Sequence, residues 1–247
     1  MRAIIASSAM LIMGIISLAF SIMSASTMLA FVGLGLTFWG SLLFYIRPKR
    51  STREDLLNSI ALSSLKALDH TMNELGYRQK GIYIPVNKPE KVVVFIPSEP
   101  LGRVPKPKEI GNQTFMQSPK GVVTVPPGLD LANLIESKLG FEFGKTNLKE
   151  LTRALPKLLM EDLEMLQGFE MKLDGNNVRI KFAGSIYSDL CMKLRASATI
   201  CSVYGCPISS AIACVLAQVS GRPVEFEKDT VSDDERITES SFRILEG

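Results

Sequence analysis

Four cysteines are the residues of this chain whose side chains are best suited to chemistry. They fall within one 24-residue stretch, at Cys191, Cys201, Cys206 and Cys214. A mononuclear thiolate site requires every sulfur to lie about 2.3 Å from the ion. The apolar spacing predicts that Cys191 and Cys201 share one helix, about 15 Å apart, and that Cys206 and Cys214 lie about 12 Å apart on the next. Because no spacing is a CxxC either, we expect no metal and no cofactor, and these four thiols are the only metal-ligand candidates.

Packing accounts for most of these cysteines without any chemistry. Cys191 and Cys201 fall on one apolar stripe at helical spacing, and Cys214 lies within the almost wholly apolar run 211–217. Buried cysteine behaves as a small hydrophobic side chain. A reducing cytosol disfavours disulfides, and only Cys201 and Cys206 are close enough in sequence to oxidise readily.

Cys206 is the cysteine with the clearest chemical alternative. It precedes Pro207, and proline is favoured at the first position of a helix, so Cys206 is predicted to lie at a helix start. A helix N-terminus favours thiolates and anions nearby, and Ser209 and Ser210 add hydrogen-bond donors. No basic or imidazole partner is visible in the sequence. A reactive thiol, an anion-binding corner and a simple tight turn between two helices all remain open.

The other polar residues predict no catalytic site. His70 is the only histidine and lies in the polar stretch 69–71, which is typical of a solvated helix face. Glu161, Asp162 and Glu164 also fit an exposed face. The chain contains no GxGxxG, Walker, GxSxG or HExxH motif. We therefore expect no catalytic residue and a protein that is not an enzyme.

The N-terminal segment predicts a membrane anchor. Residues 3–46 contain no Asp, Glu, Lys, Arg or His. A bilayer crossing needs about 20 apolar residues of helix, so this segment predicts two helices, 3–23 and 28–46, joined by a short turn. Small residues recur every fourth position in each helix, which favours close packing within the hairpin. A cleaved signal peptide is the alternative, and it would leave the second helix in place.

The orientation of this anchor follows from its basic flanks. Arg2 precedes the first helix, and Tyr45 stands where an interfacial aromatic is expected. The second helix is followed by the cations Arg47, Lys49, Arg50 and Arg53. This asymmetry predicts a two-helix protein of the cell membrane with both termini and the remaining chain in the cytoplasm. The basic flank is expected to contact anionic lipid head groups.

The remaining chain, 51–247, has the composition of a soluble domain. A capping-box pattern opens a helix at 51, and short strands follow near 82–86, 91–96 and 122–125 around a Pro-rich loop at 98–120. Two leucine-rich helices come next, and 168–247 has a ββααββ order. These patterns predict an α+β fold with a mainly antiparallel sheet. Beyond the anchor and its flanks, 23 basic residues stand against 25 acidic ones, which excludes a nucleic-acid-binding surface by charge.

Two resemblances accompany these patterns. The chain resembles an uncharacterised family of archaeal membrane proteins through LTFWG at 36–40, YIRPKR at 45–50, ALSSLK at 61–66 and GCPISSAIAC at 205–214. That resemblance implies architecture alone. The last 45 residues resemble the C-terminal part of vinyl-reductase-type small-molecule-binding domains through GRPVE at 221–225 and FRI at 242–244. Those domains typically carry cysteines in and after their final strands, and this chain has none beyond Cys214.

Three functional hypotheses follow. The first is a membrane-anchored, non-enzymatic binding or interaction module, whose partner is another protein or a second copy of the chain. The second is a thiol- or metal-dependent redox-sensing protein centred on Cys206. The third is a small-molecule sensor with its pocket between the helical pair and the sheet.

Overall fold

A computed structural model describes residues 2–45, 50–87, 91–100, 102–111, 113–195, 198–232 and 237–246. The chain divides into two compact units, Met1–Asp55 and Leu56–Gly247. The predicted interface cations Arg47 and Lys49 lie outside the described residues. Tyr45, Arg50 and Arg53 lie within described helices, but their side chains are outside the described part.

The first unit contains a helical hairpin. Helix α1 is Arg2–Ser24 and helix α2 is Thr27–Tyr45, within two residues of the predicted bounds. Three glycines let the two backbones approach. A Cβ at Gly14 would lie 2.7 Å from Thr37 N, and one at Gly33 would lie 2.9 Å from Leu18 N. Gly40 approaches α1 in the same way, so close packing of small residues holds the hairpin together.

The outward faces of both helices are apolar. Ile22, Met23, Met28 and Phe31 each expose more than three quarters of their surface. Within the described residues, the one helical segment long and apolar enough to span a membrane is Thr199–Ser220, and 83% of its most apolar window is buried inside the fold. The hairpin contributes the shorter apolar helices Ser8–Ser24 and Thr27–Leu43.

The second unit is an α+β fold. Its helices are α3 (Arg50–Glu74, beginning before the unit boundary), α4 (Leu129–Leu139), α5 (Leu148–Lys157), α6 (Ser188–Arg195), α7 (Ala198–Tyr204) and α8 (Pro207–Ser220). Its strands are β1 (Ile82–Pro85), β2 (Val92–Pro97), β3 (Phe115–Gln117), β4 (Lys120–Thr124), β5 (Gly168–Asp174), β6 (Asn177–Ala183), β7 (Val224–Val231) and β8 (Ile237–Ile244). A 3₁₀ turn (Phe143–Lys145) precedes α5, and a π-helical turn (Leu158–Asp162) follows it, just after Pro156.

The eight strands form one antiparallel sheet in the order β3-β4-β2-β1-β7-β8-β6-β5. Each half consists of strands that are close in sequence, and the pairing of β1 with β7 joins the halves at Ile82↔Glu225 and Tyr83↔Val224. In the described residues of 168–247, the helices α6, α7 and α8 lie between the strand pair β5–β6 and the strand pair β7–β8, where the sequence predicted a ββααββ order.

Helix α8 forms the centre of the main core. Ten consecutive residues from Ile208 to Ala217 are buried, and the helix packs on β1, β7 and β8. The predicted Pro-rich loop after β2 covers the other face of the sheet. Its Ile110 is 1% exposed and packs with Ile84 and Phe95 in a second, smaller core. That cover explains why β2 is buried on both faces.

Candidate functional site

Three of the four cysteines line one open pocket. The pocket has a volume of about 390 Å³, and Cys191, Cys201 and Cys206 contribute to its wall. Cys191 lies in α6 and Cys201 in α7, and residues 196–197 between them lie outside the described part of the chain. The two cysteines line the same pocket at the start of α8, although the sequence predicted that they lie about 15 Å apart along one helix.

Helix α8 begins directly after Cys206, as the position of Pro207 in the sequence predicted. Cys206 is the N-cap residue in an extended conformation, and its sulfur accepts the backbone N–H of Ser209 at 3.4 Å. The preceding Gly205 has a φ of +77°, and a Cβ there would lie 2.8 Å from the Phe226 ring. A glycine is required at this turn, both for the left-handed backbone and for the close approach of β7.

A β-bulge in β7 brings an aspartate to this helix start. Phe226 pairs with Phe242 and faces the core, so plain alternation would place Lys228 on the same face and Asp229 on the other. The register shifts between Phe226 and Lys228, and Asp229 comes to lie opposite the buried Ser240. Bulges commonly re-aim side chains in this way beside functional sites.

Asp229 accepts hydrogen bonds from the first residues of α8. Its Oδ2 accepts the Cys206 backbone N–H at 2.9 Å, and its Oδ1 accepts the Ser209 hydroxyl at 3.0 Å. Ser209 Oγ also lies 3.1 Å from Cys206 Sγ and 2.8 Å from Ser240 Oγ. Because the single Ser209 proton goes to the carboxylate, its two lone pairs accept from the Cys206 S–H and the Ser240 O–H. A continuous hydrogen-bonded path therefore joins the Cys206 thiol to Asp229.

Cys191 and Cys206 interact directly. The pKa of the Cys191 thiol lies far above its ordinary value, first because it hydrogen-bonds with Cys206, and then because of burial and the charge of Cys206. Cys191 is 8% exposed and Cys206 4% exposed, while Cys201 is half-buried. The structure therefore adds Cys191 as a partner for Cys206, beside Cys201, which the sequence favoured.

Cys214 does not belong to this site. It lies mid-way along α8 with no exposed surface, and burial raises the pKa of its thiol. All four cysteines lie in the described part of the chain and none of them forms a disulfide. Within that part, no group of three or more His, Cys, Asp or Glu side chains is arranged to hold a metal ion.

Cations surround the mouth of the pocket. Arg78, Lys80 and Lys228 line it with exposed side chains. Of the two carboxylates in the wall, Glu227 pairs with Arg243, and Asp229 accepts the hydrogen bonds at the start of α8. These cations were not predictable as neighbours of Cys206, because Arg78 and Lys80 precede it by more than 120 residues.

Helix α3 supports the pocket from behind. Asp69 is 8% exposed, and its Oδ1 accepts the backbone N–H of Ile200 at 2.7 Å in the first turn of α7. Asn73 accepts the Thr199 hydroxyl at 2.7 Å. The sequence predicted 69–71 as a solvated face, which holds for the exposed His70 and is wrong for Asp69. Two side chains of α3 therefore fix the helix that carries Cys201.

Other polar candidates lie apart from this pocket. Ser210, predicted as a donor near Cys206, instead accepts the backbone N–H of Gly128 at 3.0 Å. Glu161, Asp162 and Glu164 are exposed, as predicted. Ser209 is the one predicted neighbour that contacts the Cys206 sulfur. Asp229 and Ser240 were not foreseen, and the only local signal for them is the break in alternation along β7.

Comparison with known proteins places the chain in a family. A model of DUF7982, described as a domain of unknown function, matches residues 4–241. No curated protein matches the chain, and no solved structure does. The match extends over both compact units, from the hairpin to the last strand. The chain belongs to the DUF7982 family.

Proposed function

We propose that this protein is a membrane-anchored thiol sensor in which Cys206 reacts with a peroxide and Cys191 converts the product into a disulfide. The observation that carries the proposal is that Cys191 and Cys206 both line the wall of one open pocket at the start of α8. Two adjacent thiols, one of them next to a proton acceptor, are the minimum that a reversible peroxide response requires.

The reaction proceeds in two balanced steps. The Cys206 thiolate attacks one oxygen of hydrogen peroxide, the O–O bond breaks, and hydroxide leaves and is protonated to water. The sulfur of Cys191 then attacks the resulting sulfenic acid, an S–S bond forms, and a second water leaves with the Cys191 proton. Two thiols and one peroxide thus give one disulfide and two waters.

The hydrogen-bonded path beside Cys206 offers a route for the thiol proton. Ser209 Oγ lies 3.1 Å from the Cys206 sulfur and donates to Asp229. As the sulfur attacks peroxide, its proton moves along this path and passes to the leaving hydroxide. The Ser209 backbone N–H already points at the sulfur and stabilises the thiolate.

Oxidation changes the structure at a defined place. A Cys206 sulfur drawn towards Cys191 no longer accepts the Ser209 N–H, so α8 loses its cap. The disulfide also ties α6 to the start of α8, next to α7. Helix α7 is held by Asp69 and Asn73 of α3, which is the helix that follows the hairpin in the chain. Through these contacts with α7, formation of the disulfide changes the surroundings of α3.

The hairpin of α1 and α2 serves as the membrane anchor, with both termini and the second unit on the cytoplasmic side. The uncharged sequence 3–46, the exposed apolar side chains of both helices and the basic residues after Tyr45 support this placement. An alkaline wash of native membranes tests it. The full chain is expected in the pellet, and release into the supernatant contradicts the anchor.

The geometry supports this function above the other two hypotheses. The pocket between the helices and β7 also suits a small-molecule sensor, but that hypothesis gives no role to the cysteines that line the pocket. A plain interaction module needs neither the pocket nor paired thiols.

Peroxide titration of the full-length protein in detergent micelles tests the proposal. Free thiols are counted, and digestion followed by mass spectrometry identifies the bonded pair. We expect one disulfide between Cys191 and Cys206, with loss of two thiols. Cys214→Ala is the matched control and leaves the product unchanged, whereas Cys191→Ala stops at the sulfenic acid. Absence of a disulfide at sub-millimolar peroxide contradicts the proposal.

A further inference from the structure

We infer that the pocket also admits small anionic organic disulfides and exchanges them with Cys206, in preference to neutral or cationic ones. This inference rests on the proposed function, because it uses the same two thiols. It adds a second class of oxidant, and it assigns a role to the cations at the pocket mouth.

The size of the pocket fits such a ligand. Its volume of about 390 Å³ lies in the range of small-molecule sites. Cys191 and Cys206 form part of the wall, so a ligand that occupies the pocket lies against both residues. Peroxide alone needs far less space than this.

The charged side chains of the pocket wall favour an anionic ligand over a cationic one. Arg78, Lys80 and Lys228 carry three positive charges at the mouth. Glu227 is directed to Arg243, and Asp229 to the Cys206 and Ser209 donors. The charges that remain available to a ligand are therefore mainly positive. Arg78, in the middle of the connection from α3 to β1, offers a planar guanidinium that suits a carboxylate.

The exchange is balanced in two steps. The Cys206 thiolate attacks one sulfur of the disulfide R–S–S–R, a mixed disulfide forms, and one R–S⁻ leaves. The Cys191 sulfur then attacks Cys206, the protein disulfide forms, and the second R–S⁻ leaves. The protein loses two thiol hydrogens, and the ligand gains them as two R–SH molecules.

Three matched disulfides of similar size test the inference on the full-length protein. They are dithiodiglycolate, which is anionic, hydroxyethyl disulfide, which is neutral, and cystamine, which is cationic. At low salt, near 20 mM, we expect the anionic reagent to react about 10-fold faster than the neutral one and cystamine to react slowest. Raising the salt to about 500 mM compresses these ratios, because the charges are exposed and are screened.

Variants of the charged residues distinguish electrostatic attraction of the reagent from the intrinsic reactivity of the Cys206 thiol. In Arg78→Gln/Lys80→Gln, the anionic-to-neutral rate ratio is expected to fall towards one. Lys149→Gln/Lys157→Gln removes two exposed cations of α5 that do not line the pocket, and it keeps the wild-type ratio. Equal rates for all three reagents, in a wild-type protein that still forms the disulfide with peroxide, overturn this inference and leave the proposed function standing. Loss of the peroxide product overturns both.

Discussion

The carboxylate of Asp229 accepts the backbone N–H of Cys206 at 2.9 Å, and this contact exists because β7 contains a bulge. Without the extra residue, Asp229 would face away from α8 and Lys228 would take its place. One irregularity in a strand therefore determines the polar surroundings of the only cysteine that caps a helix. It also fixes the end point of the hydrogen-bonded path from the Cys206 thiol.

Replacing this carboxylate is expected to affect both stability and reactivity. Asp229→Asn keeps the shape but offers N–H donors where the Cys206 N–H and the Ser209 hydroxyl already donate. We expect a loss of about 1–3 kcal/mol in the free energy of unfolding and a slower reaction with peroxide. Urea denaturation and stopped-flow thiol kinetics measure the two effects. Glu227→Gln removes an adjacent carboxylate that pairs with Arg243 at the surface, and it should cost under about 1 kcal/mol. Equal effects of both variants would contradict the assigned role of Asp229.

Stability is expected to fall in alkaline solution. The pKa values of Cys191 and Cys214 are raised in the folded state, by the hydrogen bond with Cys206 and by burial respectively. Each folded thiol therefore binds its proton more tightly than the unfolded one does. Their contribution is complete below the ordinary thiol pKa of 9.0 and is lost as the pH rises above it.

Unfolding by urea under reducing conditions, at several pH values from about 8 to about 10.5, measures this dependence. Cys191→Ser cannot titrate in this range and should show a shallower decline than the wild-type protein. Cys201→Ser changes a half-buried thiol and serves as the control. An unchanged slope in Cys191→Ser would show that this thiol titrates alike in the folded and unfolded chains.

The contact between α3 and α7 gives a third prediction. Asp69→Ala leaves the Ile200 N–H without its buried acceptor, and we expect a loss of about 0.5–2 kcal/mol together with faster hydrogen exchange at Ile200. Glu74→Ala changes an exposed carboxylate at the end of the same helix and should alter neither quantity. If exchange at Ile200 stays slow in Asp69→Ala, α7 is held by other contacts, which contradicts the proposed effect of the disulfide on α3.

Two neighbouring glycines of α2 allow a matched test of the hairpin. A Cβ at Gly33 would lie 2.9 Å from the backbone of Leu18, whereas one at Gly35 would meet nothing within 4 Å. Gly33→Ala should destabilise the hairpin by about 1–3 kcal/mol through overpacking. Gly35→Ala should be neutral or stabilising by up to about 1 kcal/mol, because alanine favours a helix. Thermal unfolding followed by circular dichroism in micelles measures both, and the same shift in both variants would contradict the packing described.

Much of the fold was predictable because its patterns are local. The bounds of α1 and α2 follow from the uncharged segment, and the start of α8 follows from Pro207. The β5–β6 hairpin follows from the turn at 174–177 between alternating strands. Each of these signals lies within a few residues of the feature that it predicts.

The joining of the two halves of the sheet was not predictable in the same way. The pairing of β1 with β7 links residues that are about 140 positions apart, such as Tyr83 and Val224, and neither strand carries a mark of its partner. Arg78 and Lys80 are likewise more than 120 residues from Cys206, so no pattern in the sequence around Cys206 indicates them. A single sequence does not contain that pairing information.

The site was only partly predictable, and the reason is physical. Cys191 and Cys201 are compatible with one apolar stripe, so a continuous helix was expected to separate their sulfurs. Cys191 lies in α6 and Cys201 in α7, and both line one pocket together with Cys206. The bulge in β7 adds Asp229 because a one-residue shift changes the face of every later side chain.

The central claim is that Cys191 and Cys206 are a reactive pair. Disulfide mapping of the full-length protein after stoichiometric peroxide treatment tests it most directly. The account predicts a Cys191–Cys206 disulfide as the main product, formed equally in Cys214→Ala and reversed by dithiothreitol. A main product that joins Cys201 to Cys206, or a protein that keeps all its thiols, would contradict it.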